Sequence, residues 1–234
     1  MSGDSVLLFC GVGGQSAQWS LVPDLTDDAI RTVLASGMSF QMVFFTWCEE
    51  ASSTLERILS QAAQVHAFPF PVPPLLLSLQ ELALNGVKAN MKKAAISSTE
   101  TVRDGLTLFN QHLGRGARIL EALARQMRYW TAIVIKIRPG WMRLDVINAS
   151  PLLSDEEMRI NERLRLARAF DSVECFHKQA GDSLEGAGLG LYLVSLGLQT
   201  LDVQRQRLRI RSDRSGHTVA RVSLAWGTQP ALVP

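Results

Sequence analysis

The chain reads as an α+β protein: a two-layer α/β sandwich in which helices cover one face of a mixed, mostly antiparallel sheet, preceded by an N-terminal extension. Two observations lead there. Apolar residues recur at the helical spacing of about 3.6 in segments between 49 and 127, and the spacing changes to 2 over 130–148. The elements also follow the order helices, hairpin, connecting segment, glycine-rich loop, helix, hairpin, which suits helices lying on one side of a sheet. With 234 residues, 47% hydrophobic and 20% charged, the chain can bury a substantial core. It divides into an extension over 1–70 and a main domain over 71–230.

In chain order, 1–47 predicts short strands and one helix, DDAIRTVLAS, with Asp24 or Thr26 as its N-cap, followed by the strand-like FQMVFFTW. Glu49 to about His66 predicts a helix, because Leu55, Ile58, Leu59 and Ala62 recur at helical spacing. FPFPVPP at 68–74 is a boundary, since proline lacks a donor and pushes its predecessor toward extended backbone. Pro73 or Pro74 then opens a helix to about 93, with Leu75, Leu76, Leu79, Leu82, Ala83 and Val87 on one arc. Glu81, Asn85, Lys88 and Lys92 take the other side. A second helical region over 99–127 is interrupted at Gly114 and Gly116.

WTAIVIKI at 130–137 and WMRLDVIN at 141–148 flank Arg138-Pro139-Gly140 and predict a hairpin. Alternation on its second strand puts Asn148 on the side of Met142, Leu144 and Val146. An arginine- and glutamate-rich helical stretch follows over 154–179, then a short apolar helix over 189–199. A closing hairpin, 206–212 with 218–226, turns at Ser215-Gly216.

Two segments carry chemistry. In LQELALNGVKAN, Glu81, Asn85 and Lys88 stand at i, i+4 and i+7, one narrow helical stripe of carboxylate, carboxamide and ammonium suited to Mg²⁺ and phosphate. In EGAGLGLYLV, Gly186, Gly188 and Gly190 precede an apolar helical run, so backbone N–H groups and a helix N-terminus are free to face an anion. Together they indicate a nucleotide site.

Other patterns set bounds. A net charge of +2 gives no bulk argument for nucleic acid, and the arginine clusters at 159–168 and 205–214 read as solvated faces. Cys10, Cys48 and Cys175 are widely separated with no C-x-x-C pair, which argues against a zinc site and a disulfide framework. VLLFCGVGG is short for a signal peptide and lacks a basic flank, and no run of 18 apolar residues occurs. A cytoplasmic protein away from membranes is expected.

These residues resemble the GHKL ATPase superfamily, which includes gyrase and the catalytic domains of sensor histidine kinases and is built on the Bergerat fold. ELALNGVKA is similar to its N box and EGAGLGL to its second glycine box, over about residues 73–227 and in the family's order. SGHTVARVSLAW is similar to the family's last hairpin, with Thr218 at the threonine position. The resemblance implies ATP and Mg²⁺ as cofactors, with Asn85 as the metal-chelating carboxamide. Glu81 is then either a general base or an outer group around the metal. Lys88 offsets phosphate charge, and Gly186, Gly188, Leu189 and Gly190 wrap the triphosphate at a helix N-terminus.

The chain departs from the family at the first glycine box, where D-x-G-x-G is replaced by Asn148-Ala149-Ser150-Pro151-Leu152. Asn148 takes the place of the aspartate that accepts from the adenine amino group, with a weaker neutral acceptor and a stiffer loop. The resemblance further implies an ATP lid over 154–185, with Phe170 and Phe176 near it and Arg163, Arg165 or Arg168 reaching the γ-phosphate. His66, His112, His177 and His217 are followed by Ala, Leu, Lys and Thr rather than the acidic residue that follows a phosphoaccepting histidine. The expected activity is therefore an ATPase, or a kinase acting on a separate protein partner. A non-hydrolysing, nucleotide-responsive regulator like the anti-sigma factors is the alternative, and a homodimer stays open.

Overall fold

Local chemistry sets where most helices begin and end. The computed structural model describes residues 6–11, 19–21, 25–113, 117–152, 154–167, 189–201, 203 and 205–226. Strands β1 (Leu7–Gly11) and β2 (Trp19–Leu21) precede helix α1 (Asp27–Ala35). Thr26 caps α1 by accepting from the Ala29 amide at 3.2 Å, and Asp27 and Asp28 sit at the positive end of the helix. After β3 (Ser39–Phe44), α2 (Glu49–His66) stops at Ala67, whose φ of 47° breaks the helical hydrogen bonds.

Pro73 and Pro74 lie in the first turn of α3 (Val72–Ser97), the longest helix described. It runs past residue 93 because Ala94 and Ala95 are themselves fully buried. Helices α4 (Val102–Leu113) and α5 (Arg118–Gln126) stand for the second helical region. Its interruption at Gly114 and Gly116 lies outside the described residues. Strands β4 (Thr131–Arg138) and β5 (Trp141–Asn148) join through Pro139-Gly140, where Gly140 at φ 78° supplies the left-handed position of a Pro-Gly turn. Helix α6 (Ser154–Ala167), helix α7 (Leu189–Gln199) and the hairpin of β6 (Arg205–Ser212) with β7 (Thr218–Ala225) complete the described chain.

The sheet has seven strands in the order β2-β1-β3-β4-β5-β7-β6. Every pairing is antiparallel, so the sheet is antiparallel throughout where a mixed one was expected. The return from β3 to β4 passes through α2, α3, α4 and α5, and the two strands still run in opposite directions. Residues 1–70 thus supply three strands of the same sheet. Phe40, Met42 and Phe44 of β3, with Ile133 and Ile135 of β4, point into one buried layer beneath α2 and α3. Full burial of each such side chain stabilises the fold by about 1.5–3 kcal/mol. No helix among the described residues is long and apolar enough to cross a membrane.

Candidate functional site

Helix α3 meets the sheet through two non-apolar residues on its buried side, Gly86 and Asn90. At Gly86 a Cβ would lie 3.3 Å from Thr131 Cγ2 and 3.5 Å from Asn148 Cβ, so the helix backbone rests directly on the β4–β5 pair. Thr131, Asn148 and Thr218 stand opposite one another across three strands, in one buried polar row under the helix.

That row is cross-linked to the loop after β5. Asn148 Nδ2 donates to Ser150 Oγ at 2.7 Å, and Thr218 Oγ1 donates to the Ser150 carbonyl at 2.8 Å. Asn90, 1% exposed, donates to the Trp130 carbonyl at 2.8 Å and to Thr131 Oγ1 at 3.1 Å, and accepts from the Ser150 amide at 3.2 Å. The loop is held by these side chains. With its donor turned to Ser150, Asn148 presents Oδ1 as its remaining acceptor.

On the flank of α3, Asn85 Nδ2 donates to Glu81 Oε1 at 3.2 Å. That leaves Asn85 Oδ1 as the acceptor of the side chain, the type of ligand a hard cation takes. Glu81 presses on α7: a Cβ added at Gly190 would collide with its carboxylate. Seven residues on, a Cβ at Gly197 would come within 2.7 Å of Ser78 Oγ and 3.3 Å of the Pro74 carbonyl. The helices therefore run antiparallel, and the first turn of α7 lies against Glu81. The first turn of α7 has no acidic residue of its own, so the Glu81 carboxylate sits where the partial positive charge of the helix end favours an anion.

Of the residues expected from sequence, Glu81, Asn85 and Gly190 come together, and Asn148 lies beneath the neighbouring Gly86 with Thr218 as its strand partner. Glu81 and Asn85 are half-buried under α7, whereas Lys88, one turn on, is exposed. Lys92 pairs with Glu156 at 3.4 Å and ties α3 to α6. Leu189 is the first residue of α7. Gly186, Gly188, Arg168, Phe170 and Phe176 lie outside the described residues. On α6, Arg165 is exposed, while Arg163 has a buried Nη1 with no acceptor among the described residues. Burial and then Arg159 lower the pKa of Arg163. Trp130 packs edge-on to His217, and Trp226 packs on Phe68 and Phe70.

Asn90 and Ser150 were missed, although a carboxamide recurring with Ala83, Val87 and Ala94 on the apolar arc marks a buried polar group in need of partners. Among the described residues no three His, Cys, Asp or Glu side chains gather as a metal cage. The donor set fits Mg²⁺ only in the manner of one or two protein oxygens completed by phosphate and water. Comparison with protein-family models, curated proteins and solved structures finds no match.

Proposed function

We propose that the chain is a cytoplasmic Mg·ATP-binding protein of the histidine-kinase-like GHKL type on a Bergerat fold. It acts as an ATPase, or as a stand-alone kinase catalytic unit that phosphorylates a separate protein partner in signal transduction. One observation carries the reading. Glu81, which accepts a hydrogen bond from Asn85, meets the N-terminal turn of α7 at Gly190, so a carboxylate, a carboxamide and a helix end lie together. Asn85 Oδ1 would hold the cation, Lys88 would offset phosphate charge, and Glu81 would leave the helix end to polarise water or steady the metal's water ligands. Asn148 Oδ1, beside α3, is suited to accept from an exocyclic amine of the base.

The test is phosphate release from labelled Mg·ATP, with transfer to candidate partner proteins. Wild type should turn over and Glu81→Ala and Asn85→Ala should not; equal inertness of all three removes catalysis. In parallel, nucleotide at a hundredfold its Kd should stabilise the fold by about 2.7 kcal/mol. The hydrogen-bonded loop at Ser150 favours a second reading, a nucleotide-responsive regulator that does not hydrolyse. That reading requires the thermal shift without phosphate release, and absence of both leaves a scaffold without a nucleotide.

A further inference from the structure

The helices pack on one side of the sheet or on one another, α1 through Arg31–Gln61 and Arg57–Asp27 onto α2, α2 onto α3, and α6 through Lys92–Glu156. The other face carries the residues that alternate with the core positions. Strand pairing sets them in rows: Val134, Asp145, Arg221 and Arg209 in one, and Lys136, Arg143, Ser223 and Arg207 in the next. Arg211 continues the line along β6. Among the described residues these rows and Arg211 set six cations round one carboxylate, Asp145, on a chain whose total charge is only +2. The small bulk charge is an average that hides this face.

Asp145 is already committed. Arg221 grips it with two bonds, at 2.7 and 3.0 Å, and Arg143 approaches it at 3.2 Å. Arg207, Arg209 and Arg211 are exposed and have no carboxylate partner among the described residues. Like charges stand directly opposite at Arg209–Arg221 and Lys136–Arg143, an arrangement that costs stability in a sheet. Protection of an edge strand explains arginines on β6, but not the cations of β4 and β5, which are interior strands.

We infer that this face binds the phosphodiester backbone of a single-stranded nucleic acid. The cations are almost all arginine, whose planar fork matches phosphate oxygens. Along β6 they recur every second residue, about 6.8 Å apart, as a track rather than a point. Trp141 stands on the same face beside Arg143 and offers a ring for a base to stack on. Charge fills the middle of the patch, where a protein partner would need an apolar centre.

The experiment is fluorescence anisotropy of the full chain with a labelled mixed-sequence RNA of about 16 nucleotides. Four otherwise uncommitted cations, Lys136, Arg207, Arg209 and Arg211, predict that affinity falls roughly 50-fold between about 50 and 200 mM salt. Arg207→Gln/Arg209→Gln/Arg211→Gln should weaken binding by roughly tenfold or more at the lower salt, and the matching triple lysine variant should keep most of it. Arg103→Gln/Arg118→Gln/Arg128→Gln removes three exposed cations elsewhere and should change little. Absence of binding at the lower salt overturns the inference, as does equal weakening by both glutamine triples. So does tighter binding of duplex, or capture by phosphatidylserine vesicles without RNA binding. None of these outcomes depends on Mg·ATP.

Discussion

Asn90 fastens three parts of the molecule at once: α3, the approach to β4 and the loop after β5. Its removal leaves the Ser150 amide and the Thr131 hydroxyl without their partner in a buried setting, and an unsatisfied buried group costs about 1–3 kcal/mol. Asn90→Ala should lower the urea midpoint accordingly with an unchanged slope; a midpoint equal to wild type would show that water replaces the side chain. His66 makes a pH-dependent contribution. Burial and then the charge of Arg138 hold its imidazole below the ordinary 6.5. As pH falls through 6.5 the unfolded chain takes up a proton that the folded chain refuses, so this stability is present at neutral pH and lost toward acid until the folded pKa is passed. Thermal midpoints measured from about pH 7.5 to 5 should fall less steeply in His66→Gln than in wild type. The side of the sheet that Asn148 takes was legible because strand alternation fixes it, whereas Asn90 was not: periodicity separates apolar from polar faces and gives no warning of a polar residue that the apolar face has to satisfy.

The contact that makes the site is one between elements. Helix α7 lies on α3 through Gly190 and Gly197, two glycines one heptad apart that let the backbones approach. Gly190→Ala drives a methyl group into the Glu81 carboxylate, and overpacking of this kind costs about 1–3 kcal/mol. Glu81→Ala removes the obstacle, so the double variant should recover much of what Gly190→Ala loses, a coupling of about 0.5–3 kcal/mol in a double-mutant cycle of unfolding free energies. Additive losses would mean that the two residues do not touch. The helices and hairpins themselves were legible, because FPFPVPP, Pro139-Gly140 and Ser215-Gly216 punctuate the chain with residues whose backbone preferences are local. The antiparallel seating of α7 was not, since it depends on which α3 side chains the glycines meet more than a hundred residues away.

At the scale of the molecule, one buried cluster runs from Leu8 to Leu224 and crosses the boundary read at residue 70. Sequence set residues 1–70 apart as an extension, because pairing between β3 and β4 joins segments some ninety residues apart and leaves no local signature. In the fold, β3 shields the edge of β4, and Leu55, Ile58 and Leu59 of α2 are fully buried in the same cluster as Leu75 and Leu79 of α3. A chain beginning at Val72 would lose these partners together. It would expose the β4 edge, with Ile133 and Ile135 beside it, and the apolar side of α3, a combination that favours association between chains. Its far-ultraviolet dichroism should persist while the cooperative thermal transition disappears and dye binding to apolar surface rises, the behaviour of a chain that keeps helices without fixed packing. A sharp transition at the temperature of the full chain would instead make residues 72–234 a folding unit of their own, with the first three strands added to a sheet already complete.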